Sequence, residues 1–556
     1  MNPHDVLIAL ADEYWDGVLE AYPTTATLLG DRRFDDQIED LSAESEERLQ
    51  RGWSELGAKV EALDPSSLSA DDQVTRDLLV TEVARTVEGL EQRLTEMASD
   101  QMDGVHTMLL TFAPQINAPT PENAEAIVAR YRQVGTMLDQ ALARFRAGLD
   151  AGRPPARLTV ERSINQIDKY LATSLDRDPF VNTDGPEGWD GEAAWRESLT
   201  GVTRDVIRPG LQRYREMLAD ELLPVGRPDD RCGLRWLDEG EALYTSMVHH
   251  HTTLDDLTPD EIHDLGLAKI ERLQSEYAEV GARLLGNSEP AQIFERLRTD
   301  PELKYGSAEE IMDDARGCLS RAQEAMAEWF GRLPQAPCEI AAVPDFLAAD
   351  APGAYYVEPA ADGSRPGTYF VNQWQAEEQN RYELASVAFH EAIPGHHLQL
   401  AIAGELDHLP RFQRFSFGNT AFVEGWALYA ERLADEMGLY RNDVEYIGML
   451  AGDSWRSARL VVDTGLHAKG WSRQQAIDFM VENVPVDRDG IEVEIDRYVA
   501  IPGQALSYKI GQLEIQRLRR KAEGNGSNGF DIKAFHDRAL SSGSVSLPVL
   551  RTLLAT

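Results

Sequence analysis

The sequence predicts a mainly α-helical fold, and three observations carry that prediction. Through most of the 556 residues, apolar positions recur at helical rather than alternating spacing. Several of these segments open on recognisable side-chain caps. Strand-like patterning is confined to a short stretch near residues 353–372. Hydrophobic residues make up 42% of the chain and aromatics 8%, enough for a sizeable core. Length alone would allow several domains of roughly 150 residues. The even helical patterning instead predicts one large body over residues 1–556, with an N-terminal helical part to about 230 and a second part over 231–556.

The chain carries 95 acidic and 54 basic residues, a formal net charge of −41. So negative a surface repels phosphate, and no basic patch offsets it, so nucleic acid and anionic membrane are excluded as expected partners. The acids recur along the whole chain, which favours solubility over a field focused at a cleft mouth. The N-terminus meets acid at Asp5, Asp12 and Glu13 and lacks the basic start of a secretory signal. No run approaches the ~18 apolar residues needed to span a bilayer. Cys232, Cys318 and Cys338 are scattered without a CxxC spacing and read as small core residues in a reducing cytoplasm, the expected location.

Taken in chain order, breaks fall at Gly152–Pro155, at 182–191, at Gly226–Asp230 and at Leu333–Pro337. His249, His250 and His251 read as a helix terminus, because adjacent helical residues point about 100° apart and cannot converge on one ion. Thr258 with Glu261, Ser307 with Glu310 and Ser472 with Gln475 are capping boxes, the first with Pro259 at the opening helical position. GAYYVEP (353–359) and GTYFVN (367–372), joined by ADGSRP, predict a small hairpin. It is either a structural flap or an edge that pairs with an extended peptide, in which case Asn372 is a candidate substrate contact. Gly524–Gly529 reads as a flexible surface loop.

Three histidines lie within eight residues in HEAIPGHH (390–397). A helical zinc hydrolase places two histidines one turn apart, with a glutamate after the first as general base on the water that the metal activates. His390 and Glu391 open that pattern, but the residue four positions on is Pro394. On an unbroken helix His397 would return to the face of His390, yet roughly 10 Å along the axis. If Pro394 and Gly395 act as a two-residue insertion, His396 takes the second ligand position and His397 becomes a supporting or substrate-facing residue. Downstream, Glu424 sits in the otherwise apolar run FVEGWALYAERLADEMG (422–438), where an unpaired carboxylate is costly to bury and a metal would remove the cost. Glu431, seven positions later on about the same face, is the runner-up ligand or an acceptor for a ligand histidine.

HEAIPGHHLQ (390–399), FVEGWALYAERL (422–433) and RYVAIPGQALSYKIG (497–511) resemble a bacterial family of unknown function with an HExxPGHH motif. That family is distantly similar to thermostable zinc carboxypeptidases and to glutamate-ligand zinc peptidases. The resemblance implies a large helical fold with a central cleft, one zinc ion on His390, His396 and Glu424, and Glu391 as general base. The departure from HExxH leaves both His396 and His397 open as the second histidine, with His390 fixed as the first.

Two further segments could complete the chemistry. Arg456, Arg459, Asp463 and His467 recur at helical steps in 453–471, either as a solvated stripe or as a cleft wall in which Asp463 orients His467 toward an oxyanion. Arg459 is then a substrate contact. Around a second Pro-Gly, Tyr508 is the preferred phenolic donor, and Arg497 and Tyr498 are candidate substrate contacts, the arginine for a peptide carboxylate. The expectation is a zinc-dependent, carboxypeptidase-like peptidase acting on short peptides. A metal-dependent amidase or esterase, or a catalytically inactive peptide-binding relative, are the alternatives. Two histidines and a carboxylate also accept manganese or cobalt. The residues leave open whether cleavage is terminal or internal and whether the chain forms a homodimer.

Overall fold

The computed structural model describes residues 2–344, 348, 351–360, 363, 365–416, 418–525 and 529–555. Helices make up most of that chain, as the periodicity predicts. The box at Thr258 closes both ways at the start of a 26-residue helix, and the box at Ser472 does the same. The box at Ser307 is only half made. Its hydroxyl accepts from the Glu310 N–H, but the Glu310 carboxylate turns to the Gly306 N–H and to Arg381. His249–His251 do end a helix, Gly240–Thr252, closed by Thr253 in the left-handed region at φ 59°. Among the described residues no helix is long and apolar enough to cross a membrane.

The hydrophobic cores do not divide at residue 230. Residues from Leu7 to Val83 share the main core with residues from Leu234 to Leu553, whereas Val105 to Leu222 close a core of their own. Cys232 and Cys318 are buried and Cys338 half-buried, all three unpaired.

Five helices of the main body position the site. They are α1 (Glu383–Glu391), α2 (His396–Gly404), α3 (Thr420–Glu436), α4 (Asp443–His467) and α5 (Leu506–Asn525). Helix α3 crosses α5 where Gly425 meets Gly511. A Cβ on Gly425 would lie 2.5 Å from the Gly511 backbone, so only glycine permits the approach. Helix α4 lies against α1 in the same way: Gly448 faces the Tyr382 carbonyl, and one turn on Gly452 faces Ser386 and Glu431. The next turn brings Arg456 beside Glu431, at the level of His390.

The predicted hairpin is present as β2 (Ala354–Val357) antiparallel to β3 (Gly367–Val371). A third strand, β1 (Cys338–Ala342), pairs parallel with β3, giving the order β1-β3-β2 and leaving β2 on an edge. Of the predicted turn, residues 361, 362 and 364 lie outside the described residues. Of the predicted loop Gly524–Gly529, residues 526–528 lie outside them as well, while Gly524 and Asn525 still belong to α5.

Candidate metal centre

Pro394 and Gly395 do not kink one helix; they separate two. Helix α1 stops at Glu391, the chain turns through Ala392–Gly395, and α2 begins at His396. The turn is possible because residue 395 has no side chain: a Cβ there would lie 1.9 Å from the His390 carbonyl oxygen. Trp426 of α3 donates its indole N–H to the Pro394 carbonyl at 3.0 Å, and the His397 N–H donates to the Ala392 carbonyl at 3.0 Å. The turn folds His396 back beside His390, with ring centroids 4.8 Å apart and planes at 89°.

Both Nε2 atoms, of His390 and of His396, lie 3.5 Å from the same Glu424 oxygen, Oε2. Ligand atoms of these three residues all fall within 4.8 Å of one another. Separations of 3.5 Å are too long for good hydrogen bonds. They match the edge of a tetrahedron with ligands at zinc-like distances, about 3.4 Å. Glu424 Oε2 is buried and has no hydrogen-bond partner, which a cation among the three groups would remedy. The donor set therefore fits one divalent ion.

Groups behind the triad hold it in position. His390 Nδ1–H donates to Glu431 Oε1 at 2.8 Å, which aims Nε2 at Glu424. Ser386 Oγ donates to Glu431 Oε2 at 2.5 Å, and Arg456 approaches Glu431 at 3.9 Å. Burial would raise the Glu431 carboxyl, but the Arg456 charge and the bonds from His390 and Ser386 bring it below the usual range. Burial would likewise lower His390, yet Glu424 and Glu431 carry it up to about 9. Glu431 is thus an acceptor for a triad histidine, the second of the two roles open to it in the sequence.

The triad opens on a cavity of about 800 Å³, whose walls include Glu391, Tyr355 and Tyr356 of β2, Arg456, Arg459 and Tyr508. Arg459 lies over the Tyr508 ring at 4.5 Å. So Glu391, Arg459 and Tyr508 line one cleft with the triad.

Six other candidates do not reach it. His467 is fully buried: its Nδ1 accepts from the Leu234 N–H at 3.1 Å and its Nε2–H donates to the Tyr498 carbonyl at 3.0 Å. Burial pushes it down to about 3, so it has neither access nor a free nitrogen for an oxyanion. Asp463 does not orient it, but accepts from the Tyr244 hydroxyl at 2.6 Å and the Gly503 N–H at 3.1 Å. Tyr498 is buried, and its hydroxyl accepts from Arg459 at 2.8 Å and donates to Glu494 at 2.7 Å, so it anchors Arg459. Arg497 is spent on Glu494 at 3.4 Å and Gln504 at 2.6 Å. His397 points away from the triad, accepting from the Tyr356 hydroxyl at 2.8 Å and donating to the Ala336 carbonyl at 3.2 Å. It ties β2 in place, and the second triad histidine is His396. Asn372 gives its amide to the carbonyls of Ala348, Ala351 and Pro352 and pins the chain before β2. The sequence reading missed Ser386 and Tyr356. Ser386 lies four residues before His390 on the same helix face, a spacing that could have marked it.

A family model described as a bacterial protein of unknown function (DUF885) matches residues 23–554. The chain belongs to this family. The fold of this DUF885 protein resembles a solved structure of a putative lipoprotein from Colwellia psychrerythraea, with a TM-score of 0.90 and 25% identity over 99% of this chain and 98% of that one. It also resembles a putative lipoprotein of unknown function from Shewanella oneidensis, with a TM-score of 0.77 and 19% identity over 98% of this chain and 99% of the other. No match was found among curated proteins. The cytoplasmic expectation is overturned by these neighbours, because a lipoprotein is held at a membrane by its lipid and both neighbours are described as such. The cysteine argument failed for a physical reason: Cys232 and Cys318 are shielded by burial, so they need no reducing compartment to stay unpaired.

Proposed function

We propose that this DUF885 protein is a metal-dependent, zinc-carboxypeptidase-like peptidase that hydrolyses peptides in the central cleft. The observation that carries the proposal is the convergence of His390 Nε2 and His396 Nε2 on one unpartnered oxygen of Glu424, with Glu391 beside them in the cleft. A divalent cation such as zinc, held by these three residues, would supply a Lewis acid for water and the scissile carbonyl. Glu391 accepts the proton of the attacking water and passes it to the leaving amine as the C–N bond breaks. Arg456 and Tyr508 line the cleft, and in this reading they would donate to the developing oxyanion. The outer edge of β2 offers unpaired main-chain groups to an extended substrate.

Elemental analysis and peptide turnover test this reading. Purified protein is expected to bind one divalent ion, to lose it on Glu424→Gln, and to keep it in Glu391→Gln while turnover falls by about 10²–10⁴-fold. Protein that binds no divalent ion, or a Glu391→Gln variant of full activity, would end the proposal.

A further inference from the structure

A second cavity of about 580 Å³ adjoins the cleft, and Leu400 and Val423 line both. The triad lines the first cavity, and the shared residues are its chain neighbours: Val423 precedes Glu424, and Leu400 lies one turn after His396. Gly353 to Tyr356 border the first cavity, and Glu358, Pro359 and Ala360, immediately after β2, border the second. Helix α2 makes the same passage: His396 faces the first cavity and Gln399, one turn on, faces the second. The second cavity also holds polar groups the fold leaves unanswered. Gln399 is 3% exposed and gives its amide N–H to the Phe422 carbonyl at 3.4 Å, but its Oε1 has no partner. Ser544, 5% exposed and lining the same cavity, has an unpartnered hydroxyl. Both atoms are buried just behind the lining, and a side-chain rotation would bring an acceptor and a hydroxyl to the N–H and C=O groups of a peptide main chain.

We infer that the two cavities are the halves of one channel, that an extended peptide runs through it past the triad, and that cleavage is therefore internal. This rests on the peptidase reading and sharpens it from trimming at a chain end to cutting within the chain. At about 3.3 Å per extended residue, several residues on each side of the cut occupy the channel, and neither terminus needs to be free.

The test uses the full-length protein loaded with zinc and an octapeptide, supplied either with free ends or N-acetylated and C-amidated. Gly404 lines the second cavity, and a Cβ there meets nothing within 4 Å, so Gly404→Phe fills that cavity without touching the triad. The capped octapeptide is expected to be cut internally, and Gly404→Phe to lower kcat/KM at least tenfold; Gln399→Leu, a change of similar volume, should lower it several-fold. Stepwise trimming of the free octapeptide with no cutting of the capped one would overturn the channel and leave the peptidase reading intact. If neither peptide is cut, anisotropy of the labelled capped octapeptide on Glu391→Gln protein decides. Binding weakened by Gly404→Phe keeps the channel and removes the peptidase reading. Absent binding, or binding indifferent to Gly404→Phe, removes the channel.

Discussion

At the scale of single residues, Glu431 and Asp463 show how burial can serve or cost a carboxylate. Glu431 has a protonated partner on each side, so its charge is stabilised and in turn fixes the His390 ring. Glu431→Gln should weaken metal binding about 10–100-fold with little change in fold, as measured by competition with a chelator. Asp463 has only the Tyr244 hydroxyl and the Gly503 N–H, and burial pushes its carboxyl up to about 7. Its folded pKa lies above the unfolded value of 3.8, so its contribution is complete below pH 3.8 and is lost as pH rises through 7. Asp463→Asn should therefore gain on the parent with rising pH, by about 2–4 kcal/mol at pH 8 relative to pH 4. Equal differences at both pH values in urea unfolding would refute it. His390, Glu391, His396 and Glu424 were legible in the sequence because their chemistry makes sense only together. His467 and Tyr498 were misread because periodicity shows that polar residues share a stripe, not which groups satisfy them. His467 is satisfied by Leu234, 233 residues away, and by Tyr498, 31 residues away.

At the scale of elements, the site depends on how closely four helices approach. Gly448 lets α4 touch the backbone at Tyr382, so a methyl group there would lie 1.7 Å from a carbonyl oxygen. Gly448→Ala is expected to force α4 off α1, cost about 1–3 kcal/mol in stability and shift Arg456 away from Glu431. Denaturant midpoint and metal affinity should fall together. A variant that loses stability but keeps full metal affinity would show that the α1–α4 spacing does not matter to the centre. The helices themselves were legible from caps and apolar spacing. β1 was not, because Cys338–Ala342 has no alternation and its parallel partner begins 29 residues later, at Gly367. The break at Pro394 was legible, but its form was not: the His390 carbonyl that excludes any side chain at 395 becomes visible only in three dimensions.

At the scale of the whole molecule, buried imidazoles set the response to acid. Burial holds His106, His250 and His536 down to about 4, and His251 and His467 down to about 3. Their folded values lie below the unfolded 6.5, so their contribution is present above that pH and is lost as pH falls toward 4. Each such histidine removes up to about 1.4 kcal/mol per pH unit over that range. These five outweigh the opposite trend from Asp463, and urea unfolding should show a loss of several kcal/mol between pH 7 and pH 5. A stability curve that is flat over that interval would show that the imidazoles take up protons without unfolding the chain.

The shared core of the first and last parts of the chain also governs how the protein is made. Helical residues from Leu7 to Val83 pack first on one another, and their core is completed only by residues from Leu234 onward. At ribosomal rates of about 5–20 residues per second, the ~150 residues between them take roughly 8–30 s to emerge. For that interval Val105–Leu222 can close on itself, while the earlier helices can pair with one another but keep one apolar side uncovered. Nascent chains stopped short of residue 234 would thus hold one closed lobe and a helical N-terminal segment whose remaining apolar side waits for the end of the chain.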